Sequence, residues 1–331
     1  MWWLVLLAFA FADKVPQTFN LNLDDPPETR WVHIQKPFAS TIKQLSDYYV
    51  EHYGSPEKLD SLPKLLDLGY LDEEFKLELR GLAQAANITY NEAVFLNYMY
   101  EYNAYCTSIV ARMKNGTIMH ARNLDYDIED FLRRTTVNID VYQQGKLLFK
   151  ITGFAWYLGV CTGMKPGVFS VSLNQRNNDE RWLNNLALMM GFKGDLWQIR
   201  KALTNLNTYE EVVDFLEYTH VTAPSYYILG DVETHGSVIT RGRFIYEDYW
   251  PLTEDKWYLV QTNYDHWEEE PARDNKRRQT AIDMLESIGQ ENLGPEDLFK
   301  VLSTFPVLNP TSVYTTVMVP STGYLNTTIR I

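Results

Sequence analysis

A cysteine at the head of a predicted strand is the residue best suited to nucleophilic chemistry. Cys106 is one of two cysteines in 331 residues, and it lies where helix-like sequence gives way to strand-like sequence. The following hairpin brings Arg122 and Asp125 back towards it. The thiolate is the attacking species, and a guanidinium favours it, so we expect Arg122 to lower the pKa of the Cys106 thiol.

The same position would allow nucleophile and base to share one residue. If the chain is cut between Tyr105 and Cys106, Cys106 gains a free α-amine with an ordinary pKa of about 7.7–8.0, within reach of its own sulfur. Asp125 would orient the ammonium. We therefore predict that the chain cuts itself here, giving a helical α-subunit of residues 13–105 and a catalytic β-subunit of residues 106–331.

The hairpin geometry gives a partial check on this arrangement. Asn115-Gly116 is a strong two-residue turn signal. A two-residue loop there would pair Cys106 with Asp125 on one face and turn Arg122 to the other face. Either the loop is longer or a bulge redirects the arginine.

Several separated motifs, in the same order along the chain, resemble the acid ceramidase and N-acylethanolamine-hydrolysing acid amidase family of N-terminal nucleophile hydrolases. The resemblance runs from about Phe19 to the C-terminus, beyond the hairpin itself. The motifs are Phe19-Asn20-Leu21, Glu28-Thr29-Arg30-Trp31, Gly163-Met164-Lys165-Pro166-Gly167, Tyr227-Ile228-Leu229-Gly230, Gln261-Thr262-Asn263-Tyr264-Asp265-His266-Trp267 and Tyr314-Thr315-Thr316-Val317-Met318.

The resemblance implies roles for further residues. Arg122 and Asp125 match the family's catalytic arginine and aspartate. Asn263 matches an asparagine whose side-chain amide points at the oxyanion, although an asparagine at a strand end is usually a turn residue. Arg277 matches a further active-site arginine, although it could also be a solvated basic start to a helix.

One position departs from the family pattern. Where these relatives carry a glutamate before an arginine, this chain has Gln175 before Arg176. A glutamate donates a hydrogen bond to an oxyanion only when protonated, whereas a glutamine amide donates at any pH. We therefore expect activity closer to neutral pH than in the glutamate-bearing relatives, with loss of function as the alternative interpretation.

The resemblance also implies the fold, an α+β body of four layers in the order helix, sheet, sheet, helix. The residues alone support a mixed α+β domain. Residues 38–104 are predicted helical, with a capping box at Thr89 and Glu92. Short strands dominate from Cys106 onward, interrupted by helices predicted near 183–192, 195–203, 209–218, 276–288 and 295–302.

The N-terminus and three sequons indicate the secretory pathway. Residues 1–12 are an apolar run that is typical of a signal peptide and too short to span a membrane, with a membrane-lying segment as the alternative. We expect N-glycosylation at Asn87, Asn115 and Asn326. With the resemblance, this predicts a lysosomal or secreted protein.

Composition bears on the possible partners. The formal charge of −13 argues against nucleic acid as a ligand. No two of the six histidines are four residues apart, so a metal site has little support, and we expect no cofactor. A series of leucines could form a helical face that contacts lipid, or it could be an ordinary core-facing stripe. The series is Leu62, Leu65, Leu66, Leu68 and Leu71.

Two cysteines in a secreted chain would by default suggest a disulfide between Cys106 and Cys161. The resemblance lowers that expectation, because a bonded sulfur cannot attack a carbonyl. Cys161 is then expected to be a small buried hydrophobic residue.

The preferred function is hydrolysis of N-acylethanolamines to fatty acid and ethanolamine through a thioester on Cys106. Ceramide hydrolysis with the same residues is the alternative, and a catalytically silent lipid-binding protein is the hypothesis from another class. The predicted partners are a lipid amide, a membrane or vesicle surface and the two fragments of the chain itself.

Overall fold

A computed structural model describes residues 13–55, 61, 72–99, 104–176, 182–190 and 192–331. The predicted leader at 1–12 and the leucine series at 62–71 lie outside the described residues. The strands are β1 Gln17–Asn22, β2 Ala104–Arg112, β3 Ile118–Tyr126, β4 Thr136–Gln143, β5 Lys146–Phe154, β6 Thr162–Lys165, β7 Phe169–Gln175, β8 Ser225–Asp231, β9 Gly236–Arg241, β10 Tyr246–Pro251, β11 Tyr258–Gln261, β12 Ser312–Val319 and β13 Tyr324–Ile329.

Helices flank these strands on both sides. They are α1 Pro27–Arg30, α2 Val32–Gln35, α3 Ala39–Tyr53, α4 Glu73–Ala86, α5 Tyr90–Met99, α6 Glu129–Thr135, α7 Trp182–Met189, α8 Asp195–Asn205, α9 Tyr209–Tyr218, α10 Arg277–Ile288 and α11 Pro295–Leu302. The predicted capping box forms, since Thr89 Oγ1 accepts from Glu92 N and Glu92 Oε2 accepts from Thr89 N. Among the helices in the described ranges, none is long and apolar enough to cross a membrane.

Two sheets stack face to face between the helical layers. One has the strand order β1-β4-β5-β6-β7-β8-β9-β10 and the other β11-β2-β3-β12-β13. The sheets approach closely where glycines face the partner sheet: a Cβ built on Gly230 would lie 2.7 Å from Ile118 Cγ2, and one on Gly236 would lie 2.6 Å from Val110 Cγ2. Substituting either glycine would push the two sheets apart.

The outer faces of both sheets are covered by helices. Ala281, Leu285, Leu298 and Leu302 of α10 and α11 pack in one buried cluster with residues of the five-stranded sheet. Helices α8 and α9 contribute to the buried cluster over the eight-stranded sheet. Since apolar residues point to both faces of each sheet, both faces need covering, and four layers result. The predicted layering is confirmed.

The β2–β3 hairpin has a longer loop than Asn115-Gly116 alone would give. Met113 N donates to Thr117 O at 2.9 Å, so residues 113–117 form the loop. Cys106 therefore pairs with Leu124, and Tyr105 pairs with Asp125. The predicted pairing of Cys106 with Asp125 was wrong by one residue.

This register reverses the predicted faces. Paired residues share a face and alternate along the strand, so Cys106 and Arg122 lie on one face and Asp125 lies on the other. The longer loop, rather than a bulge, brings the arginine to the thiol.

The segment before Cys106 is built into the same body as the segment after it. Strand β1 forms an edge of the eight-stranded sheet, where it runs parallel to β4. The Glu78 side chain of α4 is fully buried and accepts from Arg200 of α8 at 2.5 and 2.6 Å and from Arg30 Nε of α1 at 2.6 Å. A buried ion-pair triad therefore joins residues on the two sides of the proposed cut.

Glu78→Ala should lower the free energy of unfolding by about 3–5 kcal/mol, because it leaves buried Arg200 without its carboxylate and buried Arg30 with only the exposed Glu74. The measurement is urea unfolding of the uncut chain. Glu74→Ala is the matched control: Glu74 also pairs with Arg30, but its side chain is 55% exposed, so the loss should stay below about 1 kcal/mol. Equal shifts for the two variants would contradict the role given to the triad.

Candidate active site

The Cys106 thiol is enclosed in the core and touches a fixed arginine. Cys106 is 0% exposed, and Arg122 Nη2 lies 2.6 Å from its Sγ. Arg122 Nη1 also donates to Cys161 O at 3.1 Å and to Thr162 Oγ1 at 2.9 Å. These contacts leave the guanidinium no freedom to turn away from the sulfur. The predicted juxtaposition of Cys106 with Arg122 is present in the structure.

The thiol of the intact chain is nevertheless a weak acid. Burial raises the pKa of Cys106 to about 11, and Arg122 offsets only part of that rise. Arg122 does lower the pKa of the thiol, as expected, but the net pKa is raised in the uncut chain, because desolvation of the thiolate outweighs the nearby cations. At pH 7 only about one thiol in ten thousand would be ionised.

Cys161 supports the site without bonding to it. Both cysteines are free thiols, so the disulfide alternative does not hold. Cys161 is buried as expected, and its sulfur lies 3.3 Å from Tyr314 Oη. Its contribution to the site is the backbone oxygen that holds Arg122.

The main chain of Cys106 is held on both sides by the other predicted residues. Cys106 N donates to Asn263 Oδ1 at 2.9 Å, and Arg277 Nη1 donates to Cys106 O at 2.8 Å. Arg277 Nη2 also donates to Asn263 Oδ1 at 3.1 Å. Asn263 thus turns its oxygen to Cys106, while its Nδ2 donates to Gln175 O at 2.8 Å.

Asp125 lies behind the Tyr105–Cys106 peptide, on the face opposite the sulfur. It accepts from Ser312 Oγ at 2.6 Å and from Asn309 Nδ2 at 3.0 Å, and Arg277 Nη1 lies 3.7 Å away. Burial raises the pKa of this carboxyl, and Arg277 opposes the rise. Its contacts fix it beside Tyr105, its partner in the ladder.

Known proteins resemble this chain over most of its length. A family model described as the beta subunit of N-acylethanolamine-hydrolyzing acid amidase matches residues 14–67. The N-acylethanolamine-hydrolyzing acid amidase of Rattus norvegicus is 38% identical over 325 residues, covering 94% of this chain and 87% of the rat protein. The acid ceramidase of Homo sapiens is 35% identical over 340 residues, covering 94% and 85%.

The chain belongs to the family of N-acylethanolamine-hydrolysing acid amidase and acid ceramidase. A solved Caenorhabditis elegans ortholog of that amidase is 37% identical, with a TM-score of 0.63, and the match covers 68% of this chain and 100% of the solved chain. The predicted family and fold are confirmed, as is the prediction of an amide hydrolase. The family model gives the name beta subunit to residues that we had predicted as α-subunit, so we refer below to the N-terminal and C-terminal segments.

Asn174 helps to position the site, although the sequence analysis did not single it out. Asn174 Nδ2 donates to Gln261 O at 2.8 Å and to Thr262 O at 3.3 Å, and its Oδ1 accepts from Ser108 Oγ at 2.7 Å. This side chain joins β7 to the end of β11 and so fixes the spacing of Gln175 and Asn263. The only available signal was its place beside Gln175.

Asp274 is a second residue that sequence reasoning missed. Its Oδ1 accepts from Arg277 Nη2 at 3.1 Å, and its Oδ2 accepts from Arg278 N at 3.1 Å. The spacing of three residues between Asp274 and Arg277 at a helix start was a usable signal, because such a carboxylate can cap the helix and pair with the arginine at once.

One group of potential metal ligands occurs among the described residues, away from Cys106. Ligand atoms of Asp231, Glu233 and His235 lie within 4.8 Å of one another. Asp231 Oδ1 already accepts from the backbone N of Glu233 and of His235, at 3.0 and 2.8 Å. The carboxylate therefore closes the β8–β9 turn.

Proposed function

We propose that this protein hydrolyses N-acylethanolamines to a fatty acid and ethanolamine through a thioester on Cys106. The observation that carries the proposal is a thiol in contact with Arg122, on a residue whose main chain is held by Asn263 and Arg277. The relative named for that activity, at 38% identity, supports the substrate class. Mass spectrometry of the protein mixed with N-palmitoylethanolamine tests it, since the acyl group should be trapped on the fragment that begins at Cys106.

Self-cleavage comes first in this proposal. Cys106 Sγ attacks the carbonyl carbon of Tyr105, the C–N bond to Cys106 breaks, and the nitrogen takes up a proton to become the free amine. Water then hydrolyses the Tyr105 thioester and releases the thiol. The hydrogen bonds from Cys106 N to Asn263 and from Arg277 to Cys106 O hold the nucleophilic residue in place while the bond breaks.

Substrate hydrolysis reuses the same sulfur. The thiolate attacks the amide carbonyl of the substrate, the new α-amine carries a proton to the departing nitrogen, and a thioester remains. Water, deprotonated by the same amine, releases the fatty acid and restores the thiol. Arg122 stabilises the thiolate, and from the resemblance of its motif we assign Asn263 Nδ2, which donates to Gln175 O in the uncut chain, to the oxyanion.

The size of the solved relative supports the position of the cut. The match to the Caenorhabditis elegans ortholog covers that whole chain and 68% of this one. Residues 106–331 are 226 of 331 residues, which is also 68%. A C-terminal segment beginning at Cys106 is therefore the same share of this chain as the match to the solved relative covers.

Gln175→Glu should shift the pH optimum towards acid. A glutamate in this place donates to the oxyanion only when protonated, so activity should fall as pH rises through its pKa, whereas the glutamine of the natural chain donates throughout. We expect the ratio of kcat at pH 7 to kcat at pH 5 to drop about tenfold or more. Gln17→Glu, an exposed change in β1, is the matched control. An unmoved optimum would remove Gln175 from the oxyanion site.

We place the protein in the lysosome or outside the cell. Asn87, Asn115 and Asn326 are all exposed, as glycan attachment requires. Enzymatic deglycosylation of the protein purified from a eukaryotic cell tests this, since each occupied sequon adds a removable mass. The substrate carries a long acyl chain, so we also propose that the protein meets it at a membrane or vesicle surface.

A further inference from the structure

A polar pocket opens directly beside the predicted oxyanion residue. The cavity measures about 180 Å³, and Asn263 forms one wall of it. The same Asn263 accepts from Cys106 N, and Arg176, the residue after Gln175, forms another wall. The pocket is therefore one side chain away from the scissile centre.

A charge network anchored on the buried Asp265 fixes one side of this pocket. Arg176 pairs with Asp265 through two hydrogen bonds, at 2.8 and 2.5 Å, and with Glu247 at 2.6 Å. Tyr226 Oη donates to the same Asp265 at 2.6 Å. Although burial opposes its charge, these carboxylates hold the pKa of Arg176 above its usual range. This side is a rigid, permanently charged surface.

The remaining charged walls are free to meet a ligand. Glu268 and Arg273 line the pocket and are exposed, and within the described part of the chain neither has an ion-pair partner. Together with the network, three carboxylates and two guanidiniums line the cavity. The lining thus combines a small excess of negative charge with many hydrogen-bonding groups.

We propose that this pocket receives the amine half of the substrate and selects a small hydroxylated amine over a long-chain sphingoid amine. The volume is that of about six water molecules, which accommodates ethanolamine. An alkyl chain placed there would desolvate charged groups without replacing their hydrogen bonds, which is costly. The departing amine takes up a proton, and the excess of carboxylate favours the resulting cation.

This inference rests on the function proposed above, and its test separates the two. The substrates are N-palmitoylethanolamine and N-palmitoylglycine, which share the acyl chain and differ in charge at the amine half. Glu268→Gln removes a charge that repels the glycine carboxylate, so the kcat/KM ratio of ethanolamide to glycine amide should fall about threefold. Arg273→Gln removes an attraction, so the ratio should rise about threefold. Glu269→Gln, an exposed neighbour outside the pocket lining, should leave it unchanged.

A second arm uses the natural chain alone. In one mixed micelle that contains equal N-palmitoylethanolamine and N-palmitoylsphingosine, the ethanolamide should be consumed at least tenfold faster. The pocket does not hold the amine if Glu268→Gln and Arg273→Gln change the kcat/KM ratio no more than Glu269→Gln does. The same conclusion follows if the natural chain consumes the sphingosine amide as fast as the ethanolamide. The proposed function would survive either result as long as Cys106 becomes acylated. Absence of acylation by both amides would instead refute the function, and the inference with it.

Discussion

Cys106→Ala is expected to leave the protein as one uncut chain with no measurable amide hydrolysis. The same sulfur is assigned to the cut and to the substrate, so a single change removes both reactions. Loss of a covalent nucleophile typically costs about 10⁶-fold in kcat. Gel electrophoresis and N-terminal sequencing should show two fragments for the natural chain, one beginning Cys106-Thr107-Ser108, and one polypeptide for the variant.

Cys161→Ala is the matched control for that experiment. Cys161 holds Arg122 through its backbone oxygen, which alanine keeps, and its sulfur lies 3.3 Å from Tyr314 Oη. This variant should still be cut and should still accept an acyl group. A Cys106→Ala chain that is nevertheless cut between residues 105 and 106 would overturn the self-cleavage mechanism.

Substitutions at Asn263 should separate its two roles. Asn263→Ala removes the acceptor for Cys106 N and the amide donor, and we expect kcat to fall about 10²–10³-fold, the usual effect of losing one oxyanion donor. Asn263→Asp keeps the Oδ1 acceptor but loses the N–H. It should therefore still be cut before Cys106 while losing hydrolysis to a similar extent. Single-turnover assays on the purified, cut protein, with acylation and deacylation followed separately, measure this.

The opposite pattern would identify Asn263 as a residue that only holds the terminal amine. In that case Asn263→Asp would keep hydrolysis near the natural rate, because a carboxylate beside Arg277 still accepts from Cys106 N. The melting temperature of each variant distinguishes either result from a general loss of folding.

Local signals in the sequence predicted the helices well. The helices at Tyr209–Tyr218 and Pro295–Leu302 have the predicted bounds, since capping and turn residues mark their ends within a few positions. The hairpin register was missed because loop length depends on the Met113–Thr117 contact as well as on the Asn-Gly pair. A one-residue error in a strand exchanges its faces, so a small local mistake reversed the predicted positions of Arg122 and Asp125.

The residues that form the site were predicted more fully than the pKa of its thiol. Motif matching brought together Cys106, Arg122, Asn263 and Arg277, and in the structure each of the other three contacts Cys106. The pKa of the thiol depends on how completely the surrounding residues exclude water, which no spacing rule records. Glu78 was missed for a similar reason: a glutamate in a helix is usually solvated, and only the tertiary fold places it between two arginines.

The pairing of β1 with β4, together with the Glu78 triad, has a thermodynamic consequence once the chain is cut. An uncut chain folds as a single molecule, so its stability does not depend on how dilute it is. After the cut, the strand and the carboxylate belong to one polypeptide and their partners to another, so refolding becomes a bimolecular encounter governed by mass action. The cut protein should then stay folded on dilution only because it unfolds slowly. After denaturation at nanomolar concentration it should fail to refold, whereas the uncut Cys106→Ala chain should refold.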